Sequence, residues 1–292
     1  MNALWEMLKP DFLLHHAVWG SLVVGLVCPL VGVYFVLRRL VFWGVALPQV
    51  SAAGISFAFL LQGFGLEAAL GGGPGHEKHL AIAGALAFTV GTILALSWLE
   101  RRGSGVSEGR LGALYALAWA ASILFVASNA AGETEMLGLL KGEIVAISEA
   151  DFHAMLDVFA AVAALLFLFH REFTLVSYDR DTAVTLGRDV WVWDSVLFLI
   201  VGVTVSLGVM TVGPLVIFGF LVIPPLAALP WARGMVSLSA LASLIGGATA
   251  LAGFWISYTR DLPLGPVVVC AACAAWALSA AAARLAGARR PS

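Results

Sequence analysis

Few residues in this 292-residue chain can do chemistry, so their types and spacing are informative. His153 and Asp157 stand four apart, which places them on one face of a helix. One imidazole and one carboxylate at that spacing can share a divalent cation. A helix starting at Glu149 carries Asp157 about 12 Å inward at 1.5 Å per residue, and ionisable groups at such depth usually face a polar path. Between residues 129 and 157, Glu133, Glu135, Glu143, Glu149, Asp151 and Asp157 face a single Lys141. That negative mouth would concentrate cations. Ser148 and Asp151 also fit a capping box, and Glu149 and Asp151 suit a helix N-terminus, so these acids have an ordinary helical explanation. Gln49 and Ser51 are polar positions in an apolar run. His76 and His79 flank Glu77 beside the Gly71–Gly75 turn, and Cys270 and Cys273 are an i, i+3 thiol pair of the kind more often used for packing. No G-x-x-x-x-G-K-[ST], H-E-x-x-H or G-x-S-x-G occurs, so nucleotide binding and hydrolase chemistry lack a motif.

The elements that must carry these residues are membrane helices. The chain is 61% hydrophobic and 12% charged, with mean hydropathy +0.97, against about 25% charged residues in a soluble domain. A span needs about 20 apolar residues. Candidates cover 17–37, 44–62, 79–99, 110–128, 149–170, 191–211, 213–230, 236–256 and 264–284. That gives an all-α, polytopic fold of nine helices, or eight if the segments between 191 and 230 divide differently. Residues 1–16 are too polar for a signal peptide and read as an interfacial segment. Most arginines fall on one side, which places the C-terminus in the cytoplasm; nine spans put the N-terminus outside, whereas eight would flip the N-terminal half. The net charge of −2 says nothing about partners, but without a tail rich in Lys and Arg a nucleic-acid partner is not expected.

Two segments suggest how the helices are used. In the loop 171–188, Asp179 or Asp181 can cap a short helix and Gly187 can end it. Ala183 and Leu186, with Val184 on the flank and Arg188 beyond, give this helix a small apolar face suited to a cytoplasmic partner; a solvated linker is the alternative. Asp194 lies near the cytoplasmic end of its span, facing this region. Pro214, Pro224 and Pro225 interrupt the next segment, and Pro48 kinks the 44–62 span or marks its first turn. Broken helices belong beside protein or a water-filled path, as in many transporters.

Three segments together resemble the permease subunits of the ABC-3 family, the ABC transporters for manganese, zinc and iron. They are Gly32–Gly54, Leu139–Ser148 running through to Asp179, and Asp179–Ala228. The resemblance implies a vitamin-B12-permease-like helical fold in the inner membrane and a homodimeric pore. It also implies separate ATPase subunits, an extracytoplasmic substrate-binding protein, and a transported divalent metal. No resident cofactor or catalytic residue is expected in this chain. The family pattern Gly-Asp-x-Leu-Ser-His reads Gly44-Val45-Ala46-Leu47-Pro48-Gln49 here. Valine cannot ligate a metal, and a glutamine carbonyl is a weak neutral ligand. The expected path residues are Gln49, Ser51, His153 and Asp157, with His153 and Asp157 partly replacing the lost pair. The rival expectation is a chelated metal or small organic cargo. A different class, a secondary transporter, would need no ATPase.

Overall fold

The computed structural model describes residues 14–63, 76–101, 108–128 and 149–287. Among the described residues there are eleven helices. They are α1 His15–Leu37, α2 Val41–Gly63, α3 His76–Arg101, α4 Glu108–Ala127, α5 Glu149–Leu168, α6 His170–Tyr178, α7 Arg180–Thr185, α8 Val190–Val212, α9 Pro214–Ala228, α10 Met235–Arg260 and α11 Leu264–Leu285. The expected all-α membrane fold is present. Eight of these helices are long and apolar enough to cross a membrane, and α9 is a shorter apolar helix. At 15 residues α9 spans about 22 Å, short of the hydrocarbon thickness. The acidic and apolar positions between 129 and 148, the Gly71–Gly75 turn and residues 1–13 of the N-terminal segment lie outside the described residues, and His15 and His16 of that segment begin α1.

The chain divides into two compact units. The first comprises Met1–Val41, Glu143–Leu197 and Leu215–Ser292; the second comprises Phe42–Gly142 and Phe198–Pro214. In the first, α1 crosses α10 on small residues. A Cβ added at Gly246 would stand 2.1 Å from the Gly25 carbonyl oxygen, and one at Gly25 would stand 2.7 Å from the Ala250 Cβ. Only small residues let membrane helices approach so closely. The Ser243 hydroxyl donates to the Leu26 carbonyl at 2.8 Å across the same crossing. Val33, Ala228, Leu238 and Ala242 form a buried cluster from α1, α9 and α10. In the second unit, Gly54 of α2 and Gly84 of α3 meet in the same manner, and Val50, Ala53 and Ala118 join α2 to α4.

Helix breaks follow local sequence. Gly213 has φ +83°, and Pro214 begins α9, so α8 ends on a left-handed glycine and α9 starts on a proline that needs no N–H donor. Within α9, Pro225 has no N–H for the carbonyl of Leu221, four residues back. That carbonyl lies against Gly32 of α1, where an added Cβ would stand 1.9 Å from the Leu221 oxygen. Pro48 lies inside α2 and does not mark its first turn.

One segment differs from the sequence expectation. Residues 171–178, expected as loop, form most of α6. Phe173 and Val176 are buried, and Phe173 meets Tyr34, Phe169 and Trp193 edge-on at centroid distances of 6.0, 6.2 and 5.8 Å. The apolar face of this charged segment is too narrow to stand out in the sequence; Trp193 of α8 packs on it, 5.2 Å from Phe169 and 5.8 Å from Phe173 between ring centroids.

Candidate functional site

The expected path segment sits on α2. Gln49 is 4% exposed and Ser51 is fully buried, while Val45 is half-buried between them and the helix start. Trp43, near the start of the same helix, stacks on Phe198 with centroids 5.3 Å apart. The Ser51 hydroxyl finds no hydrogen-bond partner among the described residues, whereas Ser56 donates to the Ala52 carbonyl. The same unit buries Thr89, Ser122, Thr204 and Ser206, and the hydroxyls of Thr89 and Ser206 also lack a partner among the described residues. These hydroxyls escaped the sequence reading. Their only signal is an isolated Ser or Thr inside an apolar run, which is common in membrane helices. Every buried polar side chain described in this unit is neutral; His79 and Glu108 are exposed.

His153 and Asp157 lie on the outward face of α5, both exposed. The helix does begin at Glu149, the start on which the inward placement of Asp157 depended. The His153 Nε2 stands 4.0 Å from Glu149 Oε1, one turn back toward the helix N-terminus. Among the described residues, no three His, Cys, Asp or Glu side chains come together in a metal-holding group. Cys270 and Cys273 are exposed on α11, so they do not pack in the interior of this chain.

The third region is built around α7. Asp179 caps this helix: its carboxylate accepts from the Thr182 N–H at 3.0 Å and from the Thr182 hydroxyl at 2.5 Å. The Thr182 hydroxyl, then its N–H, hold the Asp179 carboxyl below the usual carboxylate range. Gly187 has φ +71°; its N–H bonds the Val184 carbonyl and the Arg188 N–H bonds the Ala183 carbonyl, the Schellman pattern that ends a helix. Ala183 is fully buried, whereas Val184 and Leu186 are more than 60% exposed, so Ala183 and Leu186 do not share one environment. Asp181 is exposed, and Arg188 stands 3.9 Å from Glu172.

Beside α7, a carboxylate gathers two arginines. Asp194, in the second turn of α8, accepts from Arg38 Nη1 at 2.6 Å through one oxygen and from Arg180 Nη2 through the other. Arg38 Nε also donates to the Ser177 hydroxyl at 2.8 Å. The side chains of Arg38 and Asp194 are 8% and 13% exposed, that of Arg180 61%. Burial draws the Arg38 guanidinium below its ordinary value, and Asp194 opposes that shift.

Eight apolar spans, a helix broken at glycine–proline, neutral polar groups inside one unit and a capped short helix between spans define a multi-pass membrane transport subunit. The chain belongs to the ABC 3 transport family, whose sequence profile matches residues 11–283. It is 28% identical over 274 residues to the zinc transport system membrane protein TroC of Treponema pallidum, covering 92% of this chain and 88% of TroC. It is 23% identical over 266 residues to the manganese transport system membrane protein MntC of Halalkalibacterium halodurans, covering 91% of this chain and 86% of that relative. Its fold resembles that of PsaBC from Streptococcus pneumoniae, solved in complex with Fab. The TM-score is 0.79 at 23% identity, over 96% of this chain and 95% of that one.

Proposed function

We propose that this chain forms the membrane pathway of an ATP-driven importer of divalent transition-metal ions. It works as a homodimer with cytoplasmic ATPase subunits that dock on 179–188 and an extracytoplasmic protein that delivers the ion. The observation that carries this reading is similarity over nearly the whole chain to relatives named for zinc and manganese transport. ATP hydrolysis belongs to the docked subunits, and this chain converts their closure into reorientation of its spans. Gln49 and Ser51 line the path, and His153 and Asp157 receive the ion at the outer end of α5.

A second reading is favoured by one specific observation. The buried polar groups described around Gln49 and Ser51 are an amide and hydroxyls. A bare dication crossing there meets only neutral oxygens, whereas a chelated metal arrives with its charge already compensated. ATP-dependent uptake into vesicles holding the permease and its ATPase separates the two. Uptake of free Zn²⁺ or Mn²⁺ supports the first reading, and uptake of only the chelated forms supports the second. Transport of no metal species defeats both. Under the second reading, Val45→Asp with Gln49→His shifts uptake toward the free ion.

A further inference from the structure

The docking segment is tied to the membrane helices at one carboxylate. Asp194 stands on α8, Arg180 opens α7, Arg38 caps the C-terminus of α1, and Ser177 closes α6. Among the described residues, Asp194 is the only charged residue buried as a whole, and the Arg38 side chain beside it is 8% exposed. A buried carboxylate persists when it is paired and hydrogen-bonded. Here its two oxygens serve different tasks. Oδ1 holds Arg38, which is itself buried and which also holds Ser177. Oδ2 holds Arg180, whose side chain is largely exposed. The first contact belongs to the packed interior of its unit; the second reaches outward to α7.

We propose that Asp194 is the positioning residue that transmits movement of the docking helix to the first span and to α8, through Arg180 on one oxygen and Arg38 on the other. This rests on the reading of 179–188 as the ATPase docking segment. A push or rotation of α7 moves the Arg180 guanidinium. The carboxylate follows because its interaction with Arg180 is charge-assisted. Arg38 is then displaced with it, and with Arg38 the end of α1. The short α7 has few other means of passing force inward, since Ala183 is its only buried residue.

The test uses the permease reconstituted with its ATPase in vesicles, with Zn²⁺ and Mn²⁺ as cargo probes. It measures ATP hydrolysed per ion taken up and, separately, the ATPase retained on the purified permease. Asp194→Asn leaves Arg38 buried without its carboxylate and can fail to fold, so Arg180→Gln, which keeps the Arg38–Asp194 pair, is the decisive variant. Arg180→Gln is expected to raise the ATP consumed per ion by about fivefold or more. Arg180→Lys, which keeps the charge, is expected to restore coupling to within about twofold of wild type. Where Asp194→Asn folds, the double variant Arg180→Gln/Asp194→Asn is expected to couple no worse than Asp194→Asn alone, because both break one connection. Coupling at the wild-type ratio in Arg180→Gln overturns the proposal alone, as does a double variant whose defect is the product of the two single defects. A wild-type permease that retains no ATPase overturns the docking reading, and this proposal with it.

Discussion

Replacing Gly32 with alanine tests the tightest helix crossing in the first unit. The added Cβ would stand 1.9 Å from the Leu221 oxygen, 2.6 Å from its carbonyl carbon and 2.9 Å from its Cα. Ordinary contact begins near 3.4 Å, so α1 and α9 must part by about 1.5 Å. All three obstructing atoms are backbone, and no rotamer change relieves them. Overpacking of this kind costs about 1–3 kcal/mol and occasionally more, while alanine in place of a helical glycine returns at most about 1 kcal/mol. The expected net loss is about 2 kcal/mol. Gly91, on an exposed face of α3, is the control: an added Cβ there meets nothing within 4 Å. Gly91→Ala is expected to be neutral or to stabilise by up to about 1 kcal/mol. Thermal unfolding of the detergent-solubilised protein reads both. At about 2–4 °C per kcal/mol for a chain of this class of size, Gly32→Ala falls by about 4 °C or more. A melting temperature for Gly32→Ala at or above wild type would refute the close approach of α9 to α1.

Two further outcomes follow from α7. The Asp179 carboxyl titrates below its ordinary value of about 4, so the stabilisation it gives is complete above that value and is lost as pH falls through its lower folded value. Hydrogen exchange at the Thr182 amide therefore speeds in acid beyond the intrinsic pH dependence, and Asp179→Ala speeds it at neutral pH; an unchanged rate in the variant would exclude the cap. Gly187→Ala places a Cβ at φ +71°, a left-handed conformation costing an L-residue about 1–2 kcal/mol. Amide protection at Gly187 and Arg188 is expected to drop, and full retention would show that the helix does not end as described.

The candidate site was legible where its cause is local. Asp179 followed by Thr182 makes a cap from side chains three residues apart, and Gly187 ends the helix because a left-handed turn suits glycine. Ser51 was legible as a polar residue in an apolar run, but its complete burial was not. Thr89, Ser206 and α6 were missed because neither an isolated hydroxyl nor a narrow apolar face differs in sequence from many positions with no role. His153 and Asp157 share a helix face as their spacing requires, but spacing alone could not show that this face points outward.

The sequence by itself determined the class of molecule. Runs of about 20 apolar residues have to become helices, because lipid offers the backbone no hydrogen bonds. It also determined the break at Gly213–Pro214, since a proline lacks the donor that a continuing helix needs. Tertiary structure decided which glycines meet which backbone and which carboxylate holds which arginine. Arg38 and Asp194 are 156 positions apart, and Gly32 meets a carbonyl 189 positions away. No local pattern encodes such partners, because they are selected by the packing of whole helices. Burial then gives the pairing its weight: a charge-assisted contact that water would screen at the surface is held at Asp194 among side chains largely shielded from water.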